Sequence, residues 1–483
     1  MFKKAEDKST LNKVFPDLLK NNAISRFLEK LADSQAKSIG VFSFPIKAID
    51  PLACIEVLGK KDSYQFYWEK PHTEFAIAAG NIVEIISADN VDRFSKLQKA
   101  ITRLKRETLE FSRIDHNYSG IHFLGGSSFF EDQPSGSWKG FSQASFVLPE
   151  WMVIKDGHLG ILTVTIKAQK NDSAADLKEK LVQTIEHVSP ILNLNSKNVL
   201  ETPNINEKTN PDIPSESFSE WTNSVNEAKE LIRQNEFEKI VLARKISLEL
   251  KSSIIPTFVL NRLRQQYPNC YSFLIKFPDS STFIGCSPER LVSFHNKYLR
   301  TDALAGSIKR GTSATQDVVF EEQLLNSKKD NNEHQFVTKA IVERLKKISD
   351  NIERGEKPTI KKLSNVQHLY TPIRAWIDEQ TDRLDIIDAL HPTPAVGGYP
   401  WKKAKDYIKS LENFDRGWYA GPIGWLNMKG SGEFAVSIRS GLINKNKAEF
   451  FAGCGIVKNS EPESEWEETN LKFLPMLSAL TDA

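Results

Sequence analysis

Charged side chains line one face of a helix predicted near the C-terminus. Glu465, Glu468 and Lys472 stand at positions i, i+3 and i+7, so all three project from the same side of a helix predicted from Glu463 to Leu480. A second predicted helix carries Glu333 in the segment KKDNNEHQF. Carboxylates from two helices would suit a hard divalent cation such as Mg²⁺. Spacing alone leaves open that this acidic face is only a solvated helix surface.

The glycines and cysteines of the chain indicate which ligands such a site could bind. The glycine-rich segment AGCGIVKNSEPES precedes the last helix and lets the backbone approach a ligand closely. The cysteines are scattered without CxxC or Cys/His metal spacing, at positions Cys54, Cys270, Cys286 and Cys454. We therefore predict buried, reduced cysteines, with neither a disulfide framework nor a zinc site.

The elements that position these residues divide at a polar segment. Residues from about Asn195 to Glu220 are rich in Asn, Pro, Ser and charge and lack an apolar period. We therefore predict an N-terminal region over 1–195, a linker over 196–217 and a catalytic region over 218–483. In the N-terminal region, the segments SIGVFSFPIKAI, TEFAIAAGNIVEII and LGILTVTIKA predict strands. Apolar periodicity predicts helices near 23–32 and 94–109.

The C-terminal region mixes strands and helices without a strict alternation. Strands are predicted at KIVLARKISLEL, over 269–311, and near 432–443 and 449–456. Helices are predicted over 221–234, in one long run over 316–349, around Asp385 and over 401–411. This order favours an α+β fold.

Bulk composition excludes several classes of function. The chain of 483 residues has 64 Lys and Arg against 62 Asp and Glu, a net charge of only +2, which indicates neither nucleic acid nor an acidic membrane as a partner. No stretch approaches the ~18 apolar residues of a membrane span, and no apolar run follows the basic start. We expect a cytoplasmic protein with a small or local substrate.

From about Phe218 onward, a series of ordered motifs resembles the chorismate-binding enzyme family, which includes isochorismate, salicylate, anthranilate and aminodeoxychorismate synthases. In chain order the motifs are FEKIVLARK, FIGCSPERLV, DALAGSIKRG, KKDNNEH, NVQHLYT, LHPTPAVGGYP, RGWYAGPIGW, SIRSG and AGCGIVKNSEPESEWEETNLK. The resemblance implies a single large α+β fold of two layers with the active site between them, which the N-terminal region would complete. It also implies chorismate as the substrate and Mg²⁺ as the cofactor.

The resemblance assigns roles to individual residues. It makes Glu333 and Glu468 magnesium ligands, with Glu465 beside them, where it could act through water. Around a carboxylate of the substrate dianion it places a second set of residues, Tyr419, Arg439, Gly453, Gly455 and Lys472.

The residues at positions 239 and 305 indicate which reaction is catalysed. The resemblance makes Lys239 the general base for water, where anthranilate synthases usually carry Gln, and it makes Glu289 the acid that protonates the departing 4-hydroxyl. Aminodeoxychorismate synthases often have a nucleophilic lysine where this chain has Ala305. Water attack at C2 would yield isochorismate, an isomerisation. Taken singly, Lys239 could be a solvated strand lysine and Glu289 a surface glutamate paired with Arg290.

Other residues are expected to shape the pocket. By resemblance, Gly306 and Ser307 line the ring pocket and His368 lies near the ring. In the segment LHPTPAVGGYP, a pocket wall is expected from His391, Thr393 and Gly397.

Three alternatives stay open at this point. Salicylate synthases also eliminate pyruvate, and the sequence separates them poorly from the isochorismate-forming branch. Anthranilate synthase large subunits use ammonia, which Lys239 argues against. A catalytically silent chorismate-binding protein would retain the fold alone. We expect no obligatory protein partner, a monomer or homodimer, and a role in menaquinone or catechol siderophore biosynthesis.

Overall fold

The computed structural model describes residues 21–59, 62–194, 215–363, 366–378 and 380–480. Most of the predicted linker lies outside these residues. The helix that follows it begins at Ser215, six residues before the predicted start at Trp221.

The described residues form an α+β fold, as predicted. Its helices are α1 (Asn22–Ala32), α2 (Pro51–Leu58), α3 (Arg93–Glu107), α4 (Ala174–Leu192), α5 (Ser215–Arg233), α6 (Pro256–Gln266), α7 (Ala314–Asn326), α8 (Lys328–Leu345), α9 (Arg383–Leu390), α10 (Trp401–Leu411) and α11 (Pro462–Leu480).

The first ten strands are β1 (Ile39–Lys47), β2 (Gln65–Lys70), β3 (Phe75–Ala88), β4 (Thr108–Ser112), β5 (His122–Ser127), β6 (Ala144–Asp156), β7 (Leu159–Lys167), β8 (Lys239–Glu249), β9 (Tyr271–Lys276) and β10 (Thr282–Ser287). The others are β11 (Arg290–His295), β12 (Tyr298–Lys309), β13 (Ile352–Arg354), β14 (Thr359–Lys362), β15 (Val366–Trp376), β16 (Gly398–Tyr399), β17 (Pro422–Asn427), β18 (Ser431–Val436), β19 (Ser440–Asn444) and β20 (Lys447–Ile456).

The strands form two layers that share the long β3–β6 pair. A bulge in β3 between Ile82 and Glu84 separates the two halves of this pairing. One layer has the order β4-β1-β7-β6-β3-β2-β9-β10-β19-β20-β8-β16. The other continues from β6 in the order β5-β17-β18-β11-β12-β15. One hydrophobic core contains side chains of both layers, including Trp68 and Ile77 from the first and Leu124 and Phe434 from the second.

The N-terminal and C-terminal regions are joined by direct strand pairing. Strand β2 pairs with β9 from Gln65↔Lys276 to Glu69↔Ser272, and β5 pairs with β17. We infer from these pairings that residues before the linker belong to the same folding unit as those after it.

Apolar sequence runs explain the strands that matter for the site. The first six residues of β8, KIVLAR, are all buried, as expected for a strand covered on both faces. A second core packs α1, α2, α4, α6 and α11 against the outer face of the first layer. The four cysteines are free and buried, and their predicted burial is confirmed. Within the described segments, no helix has the length and apolar character needed to cross a membrane.

Two predicted elements were wrong in their continuity. The helix predicted over 316–349 is two helices, because Ser327 leaves the helical conformation and its hydroxyl accepts a hydrogen bond from the Asp330 backbone N–H at 3.2 Å, which starts α8. The strand predicted over 432–443 is β18 and β19, separated by a turn in which Arg439 has φ 52°. The other helices and strands predicted from the sequence are confirmed within one to several residues at their ends.

Candidate active site

A cavity between the two layers brings together most of the predicted site residues. It is lined by β8 and β20 of the first layer, by β12 and β15 of the second, and by α8 and α11. Its predicted residues are Lys239, Glu289, Gly306, Ser307, Glu333, His368, Tyr419, Arg439, Gly453, Gly455, Glu468 and Lys472. Four residues expected at the site or in its wall do not line the cavity: Glu465, His391, Thr393 and Gly397.

Lys239 is the first residue of β8 and is almost fully buried. Its ammonium donates a hydrogen bond to Glu333 Oε1 on α8 at 2.6 Å, and the two side chains are 5% and 25% exposed. A Cβ atom at Gly455 would lie 2.6 Å from Lys239 Cε, so any larger residue at this position would displace the lysine side chain. The alternative interpretation, that Lys239 is a solvated strand lysine, is therefore wrong.

Glu289 lies between β10 and β11 and faces the same cavity. Burial raises the pKa of this carboxyl to about 7, although a hydrogen bond from Thr393 and the charges of Lys361 and Lys239 act in the opposite direction. The Thr393 hydroxyl donates to Oε1 at 3.3 Å. A large fraction of Glu289 is thus protonated at neutral pH and able to donate a proton.

The neighbouring Arg290 does not pair with Glu289. Its guanidinium instead contacts Glu433 at 3.2 Å and Asp302 at 3.4 Å. The reading of Glu289 as a surface glutamate paired with Arg290 is therefore wrong.

Two cations in the cavity are suited to an anionic ligand. Arg439, in the turn between β18 and β19, is buried, and its guanidinium has no hydrogen-bond or ion-pair partner within the described part of the chain. Burial lowers the pKa of Arg439, while Cys270, Tyr419 and Glu468 nearby act to raise it. Lys472 on α11 donates to the Gly453 carbonyl at 2.8 Å and to Glu468 Oε1 at 2.7 Å. A buried guanidinium without a partner favours binding of a carboxylate, because a desolvated cation is costly when unpaired.

A polar pair lies on the second layer. Gly306 has φ 74° and sits at the irregularity between Ala305 and Ser307 in the β12–β15 pairing. Ser307 Oγ and His368 Nδ1 are 2.7 Å apart. Burial lowers the pKa of His368 to about 3, so the ring is neutral at physiological pH, and its Nε2 has no hydrogen-bond partner among the described residues. One ring nitrogen is therefore fixed by Ser307 while the other is left to a ligand.

Aromatic and apolar groups complete the cavity. Tyr419 stacks on Phe451 with ring centroids 5.2 Å apart, and burial raises the pKa of its phenol. Sequence reasoning missed the apolar lining, which comprises Val241, Pro288, Leu304, Ala395, Val396, Ala420, Ile438, Phe451 and Ala452. Residues of this kind carry no chemical signal in a single sequence, because they look like ordinary core.

Sequence reasoning also missed the role of Arg416, although Arg416 is the first residue of the motif RGWYAGPIGW. Arg416 is buried, forms an ion pair with Glu412 at 2.5 Å, and donates to the carbonyls of Val396 and Val241 at 2.9 Å. It lines the cavity but its donors are used by the protein itself. Arg416 therefore stabilises the cavity wall, and its donors are not available to a ligand.

The predicted wall formed by His391, Thr393 and Gly397 was wrong in part. His391 Nε2 contacts the Phe129 carbonyl at 3.1 Å, and neither His391 nor Gly397 lines the cavity. Thr393 is turned toward Glu289 and bonds to it.

The carboxylates fit a hard cation by their chemistry. Glu333 and Glu468 both line the cavity. Each forms an ion pair with a lysine, Glu333 with Lys239 and Glu468 with Lys472. Burial would raise the pKa of Glu468, but Lys472, Lys239 and Arg439 hold it below its usual value. Glu465 is buried beside them, and its pKa is raised by burial and by the charge of Glu468. In the described ranges, no three His, Cys, Asp or Glu side chains are arranged around one metal position.

Comparison with known proteins places this geometry in a family. The chain is 34% identical over 447 residues to isochorismate synthase MenF of Bacillus subtilis, and the alignment covers 91% of this chain and 93% of that relative. It is 35% identical over 437 residues to the salicylate biosynthesis isochorismate synthase of Pseudomonas aeruginosa, covering 90% and 89%.

A solved structure agrees with these sequence matches. The menaquinone-specific isochorismate synthase MenF of Escherichia coli matches with a TM-score of 0.74 and 26% identity, over 96% of this chain and all of that one. The family model described as "Chorismate binding enzyme" matches residues 26–481. The chain belongs to the chorismate-binding enzyme family.

Proposed function

We propose that this chain converts chorismate to isochorismate. The observation that carries the proposal is that a buried lysine, Lys239, and a buried carboxylic acid with a raised pKa, Glu289, line one cavity. Displacement at two positions of a ring needs a base on one side and an acid on the other. The names of the relatives support the same reaction.

The proposed reaction uses water as the nucleophile. Neutral Lys239 takes a proton from a water molecule, whose oxygen bonds to C2 of the ring as the double bond shifts. The C4–O bond breaks, and Glu289 gives its proton to the departing oxygen, which leaves as water. One water enters and one leaves, so the net change is an isomerisation. In the present structure Lys239 donates a hydrogen bond to Glu333, and its amine can accept the proton of water only in the uncharged form.

Substrate binding rests on the unpaired charge in the cavity. Chorismate is a dianion, and the free guanidinium of Arg439 can bind one carboxylate through two N–H donors. We assign Lys472, Tyr419 and the backbone at Gly453 and Gly455 to the same carboxylate. His368 Nε2 and the Ser307–Gly306 segment would contact the ring.

Magnesium is the proposed cofactor. Glu333 and Glu468 would hold it, with Glu465 beside them, because their oxygens are the ligands that Mg²⁺ prefers. The ion would supply positive charge that offsets a carboxylate of the substrate.

We assign the product to menaquinone biosynthesis, with a catechol siderophore pathway as the alternative. The matches to the MenF proteins of Bacillus subtilis and Escherichia coli support this choice. We further propose that the protein acts in the cytoplasm, as a monomer or homodimer, without an obligatory protein partner.

Product analysis tests the proposal. Purified protein is incubated with chorismate and Mg²⁺, and the products are separated by liquid chromatography. We expect isochorismate from the wild type and none after addition of EDTA or in Lys239→Ala. Salicylate with pyruvate would instead assign the protein to the salicylate-forming branch, and a product formed only with ammonia would indicate an amine-using enzyme.

Lys245→Ala is the matched control. Lys245 lies on the same strand, β8, but does not line the cavity. Its ammonium forms an ion pair with Glu449 at 3.1 Å. This variant should retain the activity of the wild type, so a loss in Lys245→Ala equal to that in Lys239→Ala would argue against the assigned base.

A further inference from the structure

A second cavity lies next to the candidate active site and shares two residues with it. Lys239 and Glu333 line both cavities. Their ion pair, 2.6 Å long, therefore stands where the two spaces meet. Because Glu333 is 25% exposed, the pair can be reached from outside. We call the second cavity the vestibule.

The rim of the vestibule is rich in positive charge. Three exposed lysines line it, Lys329 on α8, Lys403 on α10 and Lys458 after β20. None of the three has an ion-pair partner within the segments that the structure describes. These cations come from α8, from α10 and from the segment after β20, and all three line this opening.

Other charges on the rim offset this excess only in part. Glu236 and Glu238 also line the vestibule, while Arg233 is paired with Glu230 at 3.2 Å. Three unpaired lysines against two glutamates leave a positive opening. Apolar groups, Phe336 and Pro400 among them, form the rest of the wall.

We propose that the vestibule is an anion-docking site through which the dianionic substrate reaches the catalytic cavity. This inference rests on the proposed function for the identity of the substrate. An excess of positive charge in a cleft raises the local concentration and the association rate of an anionic ligand, and the effect is about 10-fold or more where one sign of charge lines the cleft. The vestibule has such an excess, of three unpaired lysines over two glutamates. The dicarboxylate would be held by the lysines and would then pass the Lys239–Glu333 pair to reach Arg439.

The association rate constant of chorismate tests the proposal. It is measured with Mg²⁺ by stopped-flow intrinsic tryptophan fluorescence, at low and high ionic strength. The variant is K403E/K458E, and Lys329 is left unchanged because its charge also acts on Glu465. We expect the rate constant to fall on the order of tenfold at low ionic strength, and the difference from wild type to shrink in ~0.5 M salt.

The control reverses two exposed lysines elsewhere. K99E/K170E changes the net charge equally, and neither position lines the vestibule. An unchanged rate constant in K403E/K458E, an equal loss in K99E/K170E, or a loss insensitive to salt would overturn the docking site. Binding of chorismate without its conversion would overturn the proposed function. The association rate constants would still test whether the vestibule docks the substrate. No binding of chorismate by the wild type would overturn both.

Discussion

At the scale of single residues, the proposed function depends on how burial changes the pKa of Glu289. Its type and motif were visible in the sequence, but its protonation was not, because the pKa depends on the desolvation imposed by both layers. The same holds for Arg439, whose turn conformation and lack of a partner follow from tertiary structure.

The pH dependence of turnover follows from Glu289. Burial raises its pKa to about 7, and only the protonated form can donate to the leaving oxygen. Only molecules with a protonated Glu289 and an uncharged Lys239 can react in the proposed mechanism, so we expect kcat/KM to pass through a maximum and to fall on the alkaline side. It is measured as initial rates of isochorismate formation over pH 5 to 9 in buffers of constant ionic strength. A flat profile on the alkaline side would contradict this role.

Ionisation of Glu289 should also lower the free energy of unfolding at alkaline pH. Its folded-state pKa of about 7 lies above the ordinary 4.5, so the stability that the neutral acid contributes is fully present below pH 4.5 and is lost as pH rises through 7. Glu289→Gln, which stays neutral, should raise the free energy of unfolding at pH 8, by on the order of 3 kcal/mol, and change it little at pH 4. Urea unfolding measures this, with the exposed Glu179→Gln as control. Equal effects at both pH values would be evidence against a buried, titrating Glu289.

At the scale of elements, most helices and strands were predictable from apolar periodicity, whereas their interruptions were not. The run over 316–349 looked continuous because helix-forming residues lie on both sides of Ser327. The break is decided by the Ser327 cap, and it starts the helix that carries Glu333.

The Ser327 cap is therefore expected to stabilise α8. Its hydroxyl accepts from the Asp330 N–H and also bonds to the Asp330 carboxylate. Ser327→Ala should lower the free energy of unfolding by ~1 kcal/mol, and Ser327→Asn, which can still cap, by a smaller amount. Chemical denaturation compares the two variants with the wild type. If Ala and Asn were equally destabilising, the cap would not be the cause of the helix boundary.

At the scale of the whole molecule, the α+β class and the family followed from the motifs, whereas the sequence contained little about how the N-terminal region joins the rest. Its strands carry no chemical motif, and pairing across about 200 residues, such as β2 with β9, leaves no local signal. The residues that line the catalytic cavity belong to the C-terminal region, but strands β9 and β17 of that region pair with β2 and β5 of the N-terminal region.

The C-terminal region should consequently not fold alone. A fragment of residues 218–483 would expose the edges of β9 and β17 that β2 and β5 cover. We expect it to be insoluble or to lack a cooperative unfolding transition, as measured by circular dichroism. Co-expression with residues 1–217 is the control and should restore soluble protein. A cooperative, chorismate-binding 218–483 fragment would show that the N-terminal region is dispensable.

The origin of the new oxygen tests the central claim most directly. The protein is incubated with chorismate and Mg²⁺ in water labelled with ¹⁸O, and the isochorismate is examined by mass spectrometry. Attack of water at C2 predicts a product that carries one ¹⁸O in its 2-hydroxyl group. Isochorismate without label would contradict the assigned base and acid, because the hydroxyl would then have moved within the substrate.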